Sequence, residues 1–531
     1  MLANRQFGIP ASRHTFRTVF MDVMGGAVAV ATLLCFSAAV SVGTAGERPA
    51  DSNIVSAVET EMLLDSSVPY DTVDVETRDG IVTLAGTVDN ILARDRLEAI
   101  AETVVGVRAV VNIIEVRPSG IADADIEEAV KNAWRDDPAT DSYELEARVE
   151  DGVVTITGTV ESWQERELAE TVAKGVKGVR ETKNEAVITY PTERADAEIE
   201  SDVESRLAND IRVDDYLIEV SVQDGNVTLR GTVGSSQERT RAQADAWEVG
   251  VKSVHAEDLQ VEWWARDTLR RKALYAARTD EEIEQAIKDA FLYDPRVLSF
   301  NPDVFVEDGT VTLGGVVDNL AAKKAAGQDA RNVVGVWRVK NHIKVRPETI
   351  PPDEELEKRV QKALRGTPYT DLGGIRVTAH SGTICLEGKV PTSFLQSRAE
   401  RVAENVKGVT RVINDLDYDH RWTWKPDEEI RQDVKDQFLW SPFVDGSDVS
   451  VFVDNGEVTL SGTVATWGER DAAETNAYQG GAKHVQNRLT VIHRMYGPYP
   501  EGRAPYRRWP LYERREPARF GRPPLPPQNT R

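Results

Sequence analysis

The sequence predicts an α+β fold built six times over, each unit running helix, strand, strand, helix, strand. Three observations lead there. A short phrase returns six times, as "RDGIVTLAGTV", "EDGVVTITGTV", "QDGNVTLRGTV", "EDGTVTLGGVV", "HSGTICLEGKV" and "DNGEVTLSGTV". A helical apolar pattern precedes each phrase, and a second one ending at a glycine follows it. The predicted unit is about 70 residues long: a three-stranded mixed sheet with two helices over one face.

The first helix of each unit carries apolar residues at i, i+4 and i+8, from Ile54/Val58/Met62 in the first to Ile430/Val434/Phe438 in the last. An aspartate stands three residues ahead of each set, at Asp51, Asp123, Asp196, Asp280, Asp353 and Asp427. A side-chain oxygen there is expected to cap the open amides of the helix and to suit its positive end. Six aspartates in register would also suit a metal or a catalytic carboxylate. Capping accounts for them without a partner.

The phrase itself is the turn and second strand of a hairpin, because Asp-Gly, Ser-Gly or Asn-Gly between alternating runs supplies the positive φ that a two-residue turn needs. Its first glycines are Gly80, Gly152, Gly225, Gly309, Gly382 and Gly456. In the first copy Thr77 is expected opposite Val82, and Val75 opposite Leu84. Second glycines follow at Gly86, Gly158, Gly231, Gly315, Gly388 and Gly462. This register puts them on the buried face, where a missing side chain is expected to let a covering helix come close. All twelve glycines are read as structural.

The second helix is expected to stop at Gly106, Gly178, Gly250, Gly335, Gly408 and Gly481. A last strand follows, as in "AVVNIIEV" from Ala109. On these motifs the units resemble BON domains (bacterial OsmY and nodulation), over roughly residues 51–493. Copy five departs at Ser381 and Cys385, and copy three has Ala256 where the others have Asn112, Asn184, Asn341, Asn414 and Asn487. The resemblance implies an exported bacterial protein of the cell envelope, linked to osmotic or envelope stress and to phospholipid contact.

Spacing divides the repeats further. Second and third glycines are 20 apart in copies one, two, four and five but 19 apart in copies three and six, a three-plus-three pattern that suggests duplication. The expected organisation is repeats at 51–118, 122–192, 195–262, 279–347, 352–418 and 426–493, with a linker at 263–278 and a Pro/Arg-rich disordered tail at 494–531. The linker divides blocks 51–264 and 279–493, and its length leaves a hinge or an extra helix open.

Charge is uneven. Four arginines face two acids in residues 1–50 and nine arginines face three glutamates in 494–531, so 51–493 carries a net of −32 within a formal total of −24. Such a body repels nucleic acid and anionic lipid over most of its surface. Residues 1–45 read as an export signal, with Arg5, Arg13 and Arg17 ahead of an uncharged run from Val23 to Ala45 and small residues before Gly46. That run is also long enough to span a bilayer, which takes roughly 20 residues, so an uncleaved anchor is the alternative. Cleavage would leave Cys385 alone and exclude an internal disulfide.

No catalytic or metal-ligand spacing is found, and no enzyme activity, cofactor or metal is expected. The seven histidines fall at unrelated repeat positions. Cys385 is expected on the outer sheet face opposite Thr378 with His380 diagonal to it, and is read as a small residue in place of threonine. Two segments interleave aromatic and basic residues: "WWARDTLRRKALYAAR" from Trp263, and the tail from Tyr506. This mix suits a bilayer interface. Candidate membrane contacts are Trp263, Trp264, Arg266, Arg270, Arg271 and Lys272, with a packed connecting helix as the other reading of the segment. The expected function is a non-enzymatic envelope protein binding phospholipid or another envelope component, in the periplasm or held by an N-terminal anchor. The alternative is a scaffold binding proteins, itself included, through sheet faces and edges.

Overall fold

A computed structural model describes residues 48–265 and 278–491, apart from 66, 119, 142, 191–193, 370, 371, 373, 419–424, 442, 443, 445, 465 and 466. The export segment and the tail lie outside the described residues. No helix among the described residues is long and apolar enough to cross a membrane.

The first unit shows how sequence becomes structure. Helix α1 (Asp51–Leu64) buries Ile54, Val58 and Met62. Strands β1 (Val73–Arg78) and β2 (Ile81–Val88) pair antiparallel, with Thr77 opposite Val82 and Val75 opposite Leu84, as the alternation requires. The turn residues Asp79 and Gly80 have φ of 53° and 76°, the double positive that a type I′ turn demands. Helix α2 (Ile91–Thr103) starts on Asn90, whose side chain accepts from the Ala93 amide. Strand β3 (Ala109–Val116) then joins β2 in parallel, giving the order β1-β2-β3.

The pattern recurs through α3 (Asp123–Asp136), α4 (Trp163–Lys174), α5 (Asp196–Asn209), α6 (Ser236–Asp245), α7 (Asp280–Leu292), α8 (Leu320–Asn332), α9 (Asp353–Gly366), α10 (Ser393–Glu404), α11 (Asp427–Trp440) and α12 (Trp467–Gln479). The asparagine of the last strand has a clear role where it occurs. Asn112 donates to the Arg94 carbonyl on α2 and accepts from the amide of Ile114, two residues on, tying strand to helix. In copy three, where Ala256 replaces it, the pairing with the hairpin slips between His255 and Asp258.

Two expectations are corrected. The aspartates sit in the first turn of their helices but do not cap them: Ala50, Ala122 and Ala195 stand at the N-cap with no side-chain bond. Each carboxylate instead reaches the hairpin turn. Asp51 accepts from the amides of Asp79 at 2.8 Å and Gly80 at 3.0 Å, and Asp123, Asp196, Asp280 and Asp427 do the same in their own units. The second glycine is not a seat for a helix. A side chain at Gly86, with φ of 137°, would strike the carbonyl oxygen of Thr72 just ahead of β1.

The units do not form a simple row. Repeats one and two share one apolar core from Ile54 to Val179. Helix α2 packs on α6, and α8 on α12, so the first and third units of each block touch. The blocks also meet. The amide of Ile211 donates to the Asn332 carbonyl at 2.9 Å and that of Val334 to Asn209 at 3.0 Å, joining repeats three and four. The Lys177 amide donates to the Gly366 carbonyl at 2.9 Å, joining repeats two and five, and Trp440 of repeat six packs on the core of repeats one and two. Contacts between three and four, two and five, and one and six are the pairing that two similar blocks facing each other produce.

Candidate functional site

Of the candidate membrane contacts, the described residues hold Trp263 and Trp264. The last strand of repeat three (Ser253–Val261) ends in a turn closed by the Ala265 amide on the Glu262 carbonyl at 2.9 Å. That turn leaves Trp263 half-buried and Trp264 38% exposed. Arg266, Arg270, Arg271 and Lys272 lie outside the described residues. Cys385 does face outward opposite Thr378. Its thiol lies 3.7 Å from Asp415, burial and that carboxylate push it up, and His380 stands 3.7 Å from Asp353. No group of three potential metal ligands comes together among the described residues.

The sequence reading missed a cleft of about 790 Å³ where repeats two, three and four meet. Its walls come from α4, α5, α6, α7 and α8, and its position follows from local departures in copy three. Helix α6 is the short one, ending at Asp245, and the chain turns at once so that Trp247 stacks on Trp163 at 5.7 Å and 3° between planes. The Gln164 side chain fixes that turn by donating to the Trp247 carbonyl at 2.8 Å.

Charge is concentrated there. Asp210 accepts from Arg212 and Arg241, each at 2.7 Å. Burial raises its pKa, but the two guanidiniums outweigh burial and hold the carboxyl well below the usual range. Asp245, 1% exposed, meets Arg241 at 2.8 Å through one oxygen, and burial together with the Asp210 charge pushes it up to about 7. Glu248, 2% exposed, lies 3.7 Å from Arg206 and is pushed up to about 7 by burial. Asp329 is raised by burial and by its neighbour Asp294. The Arg206 guanidinium lies 4.2 Å from the centre of the Tyr293 ring, a cation–π contact.

A sequence signal for this cleft existed. The Val107 amide donates to Val104 in copy one, and Val179 to Val176, Val336 to Val333 and Val409 to Val406 repeat the turn; in copy three Val251 donates to Glu248. A buried glutamate therefore takes the place of four buried valines. Counting fourteen residues from the second glycine gives Ile100, Val172, Asp245, Asp329, Val402 and Asn476, so copies three and four put an aspartate where copies one, two and five have an apolar residue and copy six an asparagine.

Comparison with known proteins agrees with the repeat geometry. The BON domain pattern matches residues 50–118, 122–190, 195–262, 279–347, 352–419 and 426–493. The chain is 32% identical over 143 residues to the outer membrane lipoprotein DolP of Haemophilus influenzae, covering 25% of this chain and 71% of that one. It is 35% identical over 142 residues to the osmotically-inducible protein Y of Escherichia coli, covering 25% and 69%. It is 30% identical over 137 residues to a 21 kDa hemolysin of Actinobacillus pleuropneumoniae, covering 25% and 71%. With six matched units spanning most of its length, the chain belongs to the BON domain family.

Proposed function

We propose that this protein is a non-enzymatic binding protein of the cell envelope that contacts phospholipid and serves in osmotic or envelope stress. The observation that carries the reading is the exit from repeat three, where Trp264 stands 38% exposed at the start of a segment bearing Arg266, Arg270, Arg271 and Lys272. Aromatic rings settle at headgroup level, and each basic residue contributes about 1 kcal/mol near an anionic surface. The names of two relatives, an outer membrane lipoprotein and an osmotically-inducible protein, support the envelope setting.

Co-sedimentation with anionic liposomes tests it. The protein is expected to pellet at low ionic strength and to be released by salt, because the acidic body opposes binding. Changing Arg270, Arg271 and Lys272 together to Glu is expected to abolish pelleting. A triple variant that pellets like the parent removes the segment from the reading.

A scaffold role is the second reading, favoured by open apolar sheet faces. Val111 and Ile113 are 45% and 63% exposed on the outer face of the first sheet, and Phe452 is 65% exposed on the last. A parent protein that ignores liposomes but is captured by an envelope protein partner through these faces would favour it.

A further inference from the structure

The cleft between repeats two, three and four has features that a packing interface does not require. Eight acidic side chains and four arginines line it. Three of the arginines are committed, Arg212 and Arg241 to Asp210 and Arg296 to Asp294, while Arg206 stands 3.5 Å from Asp245 and 3.7 Å from Glu248 with its Nε and Nη1 outside hydrogen-bond reach of either. Among the described residues Glu248 has no close hydrogen bond, only the Arg206 guanidinium at 3.7 Å and the neighbouring Tyr293 hydroxyl, and only one oxygen of Asp245 is bonded, to Arg241 at 2.8 Å. Leaving buried acceptors unmade costs roughly 1–3 kcal/mol each. Valine at the Glu248 position, as in copies one, two, four and five, would avoid that cost. Three acids thus stand where copies one, two and five have apolar residues, and all three line the same cleft.

We propose that this cleft binds an aliphatic oligoamine, a flexible chain carrying two or more protonated amines. The ammonium groups supply close N–H donors to the carboxylate oxygens of Glu248 and Asp245 that Arg206 and Arg241 leave unbonded, and Asp329, which lines the same cleft, takes a second amine. Trp163 and Tyr293 line the same space; one ring face of each is taken, by Trp247 and by Arg206, which leaves one face of each for a cation or its methylenes. An anion would meet eight carboxylates against four guanidiniums, of which Arg206 already faces Asp245 and Glu248. A bare metal ion would need ligands converging within about 2.5 Å, and no such group of three occurs among the described residues. This assignment is independent of the phospholipid reading, since the cleft residues are not the Trp264 segment.

Calorimetric titration of the full-length protein with spermidine, at pH 8 and low ionic strength, tests the assignment. One saturable site is expected, weakened at least tenfold by Glu248→Gln and by Asp329→Asn. Glu354→Gln with Glu355→Gln, on the exposed face of α9, is the control and is expected to leave affinity unchanged. Hydrogen exchange on the parent protein provides a readout that no variant can confound: spermidine is expected to protect the segment from Arg241 to Val251. Absence of a saturable site, equal weakening by the control pair, displacement by equimolar magnesium, or protection confined to other segments would each overturn the proposal.

Discussion

Asp123 and Gly152 stand 29 positions apart, yet the Asp123 carboxylate accepts the Gly152 amide at 2.9 Å and the neighbouring Asp151 amide at 2.8 Å. The bond fastens the start of the unit's first helix to the turn of its hairpin, two points that the chain must bring together. Asp123→Ala is expected to leave both amides without an acceptor and to speed their hydrogen exchange about tenfold, the equivalent of roughly 1.4 kcal/mol of local opening. Copy five is a built-in comparison, because Asp353 bonds the Ser381 amide alone. Asp353→Ala is expected to have the smaller effect.

The second glycines divide in the same way. Side chains at Gly86, Gly158, Gly231 and Gly462 would collide with backbone carbonyls, whereas at Gly388 the nearest such oxygen is 3.8 Å away. Gly86→Val is expected to cost about 1–3 kcal/mol through overpacking, read as a lower melting temperature. Gly388→Ala keeps only the strain of its positive φ, 135°, and is expected to be milder. Equal losses at the two sites would count against the clash as the cause.

Acid is expected to stabilise this protein. Burial pushes Glu61, Asp245 and Glu248 up to about 7 and Glu238 up to about 8. A carboxyl whose folded pKa exceeds its unfolded value binds its proton more tightly in the native state, so it favours folding fully below the unfolded pKa. That advantage is lost as pH climbs through the folded value. The melting temperature is therefore expected to fall between pH 5 and pH 8.5. Glu248→Gln removes one contributor, on the order of 3 kcal/mol for its shift, and is expected to flatten the decline between pH 5 and pH 7. Asp210, held low by its arginines, adds nothing to the slope in this window.

The unit fold was legible because each of its cues is local. Alternation placed Val82 and Leu84 on one face, and Asp79-Gly80 could only be a turn. The aspartates were legible as a pattern but not as a contact, since the amides that Asp51 binds lie 28 and 29 residues away and only the folded unit brings them near. The cleft was harder still. Glu248 is an ordinary surface residue by type, and the cleft wall it belongs to is completed only by residues of repeats two and four, Trp163 and Tyr293 among them. Comparing the copies position by position exposes it as a glutamate in a valine's place, which composition and periodicity cannot do.

The two blocks are expected to stay together when the chain between them is cut. Proteolysis after Arg266 to Arg278 severs the covalent link, but the paired backbone bonds of Ile211 with Asn332 and Val334 with Asn209 remain, as does the Lys177 bond to Gly366. Lys407 also meets Asp141 at 2.7 Å across the same boundary, and Trp440 keeps its place on the first core. Nicked protein is therefore expected to elute from a sizing column as one species at neutral pH. Val334→Pro deletes a donor in the pair and strains the residue before it, which is expected to cost at least about 1 kcal/mol and to loosen the nicked halves. Separation of the parent halves on nicking would show that the blocks are joined by the linker alone.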